Sequence, residues 1–99
     1  MKNISTEKFI GIVNEVAAKH SGITVSIDPS LTTNSIYVLL SNGDAHLSFR
    51  ISDHKCPKRT VMKNIIVTPH TKRDNIIRFI ENCYAELGKI TLQYMFTLI

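Results

Sequence analysis

Two stretches of the chain repeat their apolar residues at the period of a helix. Phe9, Ile12, Val13, Val16 and Ala17 recur at spacings of three and four, which gathers them on one side of a helix of 3.6 residues per turn. The pattern predicts a helix over 6–19, with Ser5 or Thr6 as its cap and Gly22 as the residue that closes it. Ile76, Ile77, Ile80, Cys83, Tyr84 and Leu87 repeat in the same way. They predict a second helix, capped by Thr71 and ended by Gly88.

Between the helices the period changes to two. Ile23, Val25 and Ile27 alternate with Thr24, Ser26 and Asp28 before Pro29, as a half-buried strand does when it runs into a turn. Two further β-rich runs, 35–40 and 45–51, flank Ser41-Asn42-Gly43-Asp44. Asn-Gly accommodates the positive φ angles of a type I′ turn, so this segment predicts an antiparallel hairpin. In its second strand Ala45, Leu47, Phe49 and Ile51 share one face. His46, Ser48 and Arg50 take the other, and Arg50 is therefore expected to point away from the core. Residues 52–62 break the pattern around Pro57, and Ile65-Ile66-Val67 then reads as a short fourth strand. The tail from Ile90 to Ile99 alternates well enough for a fifth. A terminal strand rich in aromatics and poor in charge also suits a homodimer interface or an exposed edge. The expected fold is one α+β domain over 1–99, with an antiparallel sheet of four to five strands and two helices in the order α-β-β-β-β-α-β.

Composition is ordinary for a globular chain, with 43% hydrophobic and 20% charged residues over 99 positions; a chain of this length supports one core. Cys56 and Cys83 form no CxxC pair, and the first residues lack an apolar signal-peptide core, so the reducing cytoplasm is the expected compartment. Thr91, Gln93 and Thr97 interrupt the most apolar segment, which leaves no run of the ~18–20 residues that would span a bilayer.

Charge changes the picture more. Arg50, Lys55, Lys58, Arg59, Lys63, Lys72, Arg73 and Arg78 face only Asp53 and Asp74 within 50–78, a local charge of +6, while four basic and six acidic residues elsewhere give −2. Such asymmetry points to an acidic partner, whether nucleic acid or an acidic protein face, although a solvated surface carries such charge as well. The loop from Lys55 to Lys63 and the helix start at Lys72 and Arg73 are candidates for one basic surface able to neutralise phosphates. The order of helix, three strands and helix resembles the double-stranded RNA-binding domain, which also starts its second helix with cations. The extra strand before Thr71 and the one expected after Gly88 depart from that pattern. Tyr37 and Tyr94 offer rings for stacking bases or for packing on the sheet.

Catalytic arrangements are harder to find. His54-x-Cys56 is the one close pair of zinc-ligating types, His70 or Cys83 would have to join it from a distance, and Cys83 falls on the apolar face of the second helix; a buried thiol accounts for it without metal. Ser52-Asp53-His54 contains the residue types of a nucleophilic triad, but consecutive side chains point in different directions. Asp and Ser bonding to nearby amides to close a turn is the preferred reading. The glycines are isolated and make no phosphate loop. We expect no enzyme, no cofactor and no metal.

The stretch 35–54, and within it Phe49-Arg50-Ile51-Ser52-Asp53-His54, resembles a short motif of small phage and mobile-element proteins, some of them anti-CRISPR proteins. In these an Arg, a hydrophobic residue, Ser, Asp or Asn, and His close a strand after a hairpin. The resemblance implies a small inhibitor that occludes a CRISPR effector nucleoprotein in the infected cell. Many such inhibitors carry acidic, DNA-mimicking surfaces; a basic chain departs from that and would contact RNA, DNA or an acidic protein patch instead. The alternative is an independent nucleic-acid-binding regulator. The candidate partner-binding residues are Arg50, Lys55, Lys58, Arg59, Lys63, Lys72 and Arg73, with Ser52, Asp53 and His54 ordering the loop.

Overall fold

A computed structural model describes residues 6–31, 33–55 and 63–98, with side chains to residue 93. The elements are α1 (Thr6–Ala17), β1 (Thr24–Pro29), β2 (Ser35–Asn42), β3 (Ala45–Ser52), β4 (Lys63–Ile66) and α2 (Arg73–Leu98). The class is α+β, as the periodicities predict.

The four strands lie side by side in sequence order. β1 with β2 and β2 with β3 are antiparallel. β4 is parallel to β3, so the sheet is mixed where an antiparallel one was expected. A parallel neighbour needs a connection that returns along the sheet, unlike a hairpin. The hairpin falls where Asn-Gly predicts it, but Asn42 pairs with Ala45, so Gly43 and Asp44 form the loop. Only Gly43 has positive φ, 64°. A positive angle at the first central residue alone is the requirement of type II′, not of type I′.

Both helices cover one face of the sheet. Phe9, Ile12, Val13 and Val16 of α1 and Ile76, Ile80, Cys83, Tyr84 and Leu87 of α2 close over Ile36, Val38, Leu40, Leu47, Phe49 and Ile51, all of them buried. The helix spacing of three and four and the strand spacing of two thus meet in a single core.

α2 departs most from expectation. Gly88 does not end it, and the segment 90–98 continues the helix in place of a fifth strand. Gly88 keeps a negative φ; an exposed helical glycine costs only ~1 kcal/mol, and once a helix is nucleated each added residue gains a bond. Thr91 uses its hydroxyl in the helical manner, donating to the Leu87 carbonyl at 2.9 Å. At 26 residues α2 is about 39 Å long. It overruns the sheet, and the radius of gyration, 14.1 Å, exceeds the roughly 12.6 Å of a compact chain of this length. Thr71 is not the helix cap either: its hydroxyl accepts from the Thr68 amide at 2.8 Å and closes the turn that precedes α2. No described helix is long and apolar enough to cross a membrane.

Candidate functional site

Among the described residues no helix covers the second face of the sheet. Its rows run Thr24, Ser41, His46; then Ser26, Leu39, Ser48; then Asp28, Tyr37, Arg50, Asn64; then Ser35, Ser52, Ile66. The face has two regions of different character, and the register explains both.

Toward β3 and β4 the face closes over Arg50. Alternation places Arg50 opposite the core face as expected, yet it is 2% exposed and is the largest fully buried side chain among the described residues. Arg50 therefore takes the expected side of the sheet but is buried there rather than exposed. The residues after Ser52 turn back over the sheet and cover it. Its Nη1 donates to the His54 carbonyl at 3.3 Å and to Asn64 Oδ1 at 3.1 Å. Its Nη2 donates to Ser35 Oγ and to His54 Nε2, each at 3.0 Å. Tyr37, directly opposite on β2, lays its ring 5.8 Å from the guanidinium carbon. Nε is buried without a partner.

A guanidinium only donates, so His54 Nε2 accepts and the ring proton sits on Nδ1. That proton goes to Asp53 Oδ1 at 2.7 Å, while Asn34 Nδ2 donates to Asp53 Oδ2 at 3.0 Å. The carboxylate thus reaches the buried cation through an imidazole. Ser52 Oγ donates to the His54 carbonyl at 2.6 Å. Where bonds to nearby backbone amides were expected, Ser52 bonds a backbone carbonyl and Asp53 meets the side chains of His54 and Asn34. The imidazole nitrogens are both engaged away from the Ser52 hydroxyl, so the three side chains do not form a nucleophile and base. Asn34, Ser35 and Asn64 complete the cluster. Sequence reasoning missed all three; the signal available was Ser35 and Asn64, polar residues at the starts of strands beside Ile36 and Ile65.

Toward β1 and β2 the face is open. Tyr37 is 38% and Leu39 39% exposed, and with Ser26, Asp28, Val38 and Ser48 they line a shallow depression. Ser41 Oγ and His46 Nδ1, 3.0 Å apart, border it. A solvent-facing Tyr beside a solvent-facing Leu, ringed by hydroxyls, is unlike the helix-covered face, where the apolar residues are shut from water.

The expected basic surface is not assembled among the described residues. Lys55 is exposed just beyond the turn, and Lys58 and Arg59 lie outside the described residues. Lys63 pairs with Glu86 of α2 at 3.4 Å. Lys72 is exposed before α2, and Arg73 pairs with Glu15 of α1. Glu86 stands thirteen residues along α2 from Arg73, about 20 Å. The two basic segments therefore sit far apart along the helix, and a carboxylate accompanies a cation in each.

Among the described residues no three His, Cys, Asp or Glu side chains converge as metal ligands; Cys56 lies outside them. Cys83 is buried in the core, as its helical position predicts. Burial pushes its thiol from the usual 9.0 up to about 11, against a smaller downward pull from Lys63. Beside it, Tyr84 stacks on His20 with ring centres 3.9 Å apart, and His20 Nε2 meets Glu81 Oε1 at 2.7 Å. Burial, aided by Glu81, raises the Tyr84 hydroxyl above its usual range.

No known protein family, characterised protein or solved structure matches this chain. The class that fold and site define is a small two-layer α+β domain with one uncovered sheet face.

Proposed function

We propose that the chain is a non-enzymatic binding module that holds a macromolecular partner against the open sheet face around Tyr37 and Leu39. The observation that carries this reading is the exposure of those two side chains at the centre of a polar rim made by Ser26, Asp28, His46 and Ser48. An apolar, aromatic centre with a polar rim is the anatomy of a protein interface. The apolar centre favours a protein surface as the partner. Nucleic acid fits less well, because phosphate binding needs several cations together and Asp28 stands beside Tyr37. An inhibitor that occludes a nucleoprotein machine, as the resemblance of Arg50 to His54 implies, is compatible with this mode. Its contact residues would then be Tyr37 and Leu39 rather than Arg50.

The test is affinity capture from the source cell with the wild type, with Tyr37→Ala/Leu39→Ser, and with Lys55→Ala/Lys72→Ala. We expect one stoichiometric protein partner, lost with the first variant and retained with the second, while circular dichroism shows both folded and the first melting somewhat lower because Tyr37 also packs on Arg50. Loss with the lysine variant alone, together with a salt-sensitive gel shift of RNA or DNA by the purified chain, would replace this reading by nucleic-acid binding.

A further inference from the structure

The outer edge of the sheet carries an inference independent of the sheet-face reading. The Ser30 amide donates to the Ser35 carbonyl at 2.9 Å, in register with the β1–β2 ladder. In an antiparallel ladder hydrogen-bonded pairs alternate with non-bonded ones. Thr24, Ser26 and Asp28 therefore turn their amides and carbonyls toward β2, and Val25, Ile27 and Pro29 turn theirs outward. The hairpin agrees: pairing of Asn42 with Ala45 commits the even-numbered residues of β2 to β3 and leaves the odd-numbered ones to β1. Pro29, with no N–H, occupies an outward position, where a ladder tolerates it.

Among the described strands β1 ends the sheet. Charges, bulges and prolines keep an edge from pairing; β1 has no lysine, its register with β2 is unbroken over six pairs, and its Asp28 and Pro29 lie beyond the outward-facing backbone of Val25 and Ile27. Beside the edge lies a stripe of half-buried apolar side chains. Val25 and Ile27 contribute from β1, and Ile10 and Ala17 from α1. The latter two are seven residues apart, so they share a flank of the helix. That flank lies opposite Glu15, whose partner is Arg73 of α2.

We propose that this edge pairs with the same edge of a second copy, antiparallel about a two-fold axis through Ser26. Only outward-facing residues can bond across the edge, which leaves few registers. With Val25 opposite Ile27 of the second copy, and the reverse, all four outward amides of the two copies find carbonyls. Shifting by one pair in either direction brings in Pro29, which has no donor, or Ile23, whose amide already bonds the His20 carbonyl. The same register sets Asp28 opposite Thr24, a carboxylate against a hydroxyl with no like charge facing it. Ile10 and Ala17 of the two copies then meet over the joined edge, since a two-fold normal to the sheet keeps both helix layers on one side. The open faces merge into one eight-stranded surface.

The register gives a test that other dimers fail. Ser26 faces its own copy as a non-hydrogen-bonded pair, where Cα atoms lie ~4.5 Å apart, within the span of a disulfide. In a Cys56→Ser background, Ser26→Cys should cross-link almost completely under mild oxidation. Thr24→Cys alone should not, and an equimolar mixture of Thr24→Cys with Asp28→Cys should. Wild-type protein should sediment as a dimer across the micromolar range. A wild-type monomer up to sub-millimolar concentration overturns the proposal. So does a dimer in which Ser26→Cys cross-links no better than Thr24→Cys, which would locate the contact elsewhere, along the distal part of α2 for example.

Discussion

Replacing Arg50 by Ala tests whether this arginine is a pin for the β3–β4 connection or a contact residue. The guanidinium serves four acceptors, and their fates differ when it is removed. Ser35 Oγ keeps a donor in Thr33 Oγ1 at 3.0 Å, and the His54 carbonyl keeps Ser52 Oγ at 2.6 Å. His54 Nε2 can turn to water, because that side chain is 40% exposed. Asn64 Oδ1 keeps only a long contact to Ser52 Oγ at 3.5 Å. The polar loss is thus dominated by one orphaned acceptor, about 1–3 kcal/mol. The space left by so large a side chain adds roughly 1–2 kcal/mol once water enters part of it. Relief from burying a cation with no carboxylate in direct contact offsets some of this. The balance is a destabilisation of about 3 kcal/mol for Arg50→Ala, and of about 1–2 kcal/mol for Arg50→Met, which keeps the volume. In a domain of this size 3 kcal/mol lowers the melting temperature by roughly 12–24 °C. Urea unfolding followed by circular dichroism measures both variants, with an unchanged m-value as the sign that only stability moved. A change under about 0.5 kcal/mol for Arg50→Ala, the ordinary range of a surface substitution, would refute the argument. Arg50 would then be available for binding after all.

Three smaller tests address other parts of the fold. Gly43→Ala meets no neighbour within 4 Å of the added carbon, so its cost is that of holding φ at 64°, about 1–2 kcal/mol in denaturant unfolding. Tyr84→Phe removes a buried hydroxyl that has no hydrogen-bond partner; we expect a melting temperature equal to the wild type or higher, by up to about 1 kcal/mol of stability. Cys83 sets an alkaline limit. Its neutral form is favoured by the fold, so the stability it contributes is whole below pH 9.0 and is lost as pH rises toward about 11. The full loss is on the order of 2–3 kcal/mol, readable as a steeper alkaline fall for the wild type than for Cys83→Ala. In a Cys56→Ser background a thiol reagent at pH 8 should react with Cys83 only as fast as the chain unfolds.

The two helices, the hairpin and the four strands were legible because each has a single period that its neighbours contradict. The tail was not. Ile90 to Leu98 satisfies an alternating pattern and also extends the helical recurrence of Ile80, Tyr84, Leu87 and Thr91. Gly88 predicts a stop because glycine commonly ends helices. That role, however, requires a left-handed backbone, and nothing following Gly88 enforces one. No proline follows it, and the helix runs on. The parallel alignment of β4 was illegible for a different reason. A four-residue strand carries no record of its direction, and the turn chemistry around Pro57 is equally compatible with a hairpin or a return across the sheet.

Arg50 shows where alternation stops being informative. A strand period of two states which side of the sheet a residue takes, and on that point it was right. It does not state whether that side is covered, because cover comes from a connection distant in pattern though near in sequence. Ser35, Ser52 and Asn64 are the residues that would have revealed it. Three polar side chains at strand positions around one cation form a set of acceptors, and a guanidinium among acceptors has reason to be buried. The basic stretch read along the chain is likewise a matter of sequence order: of its +6 between Arg50 and Arg78, three cations are engaged in different places, Arg50 beneath the turn, Lys63 with Glu86, and Arg73 with Glu15. The face of Tyr37 and Leu39, apolar at its centre with Asp28 at its rim, is a surface that no count of charges would have singled out.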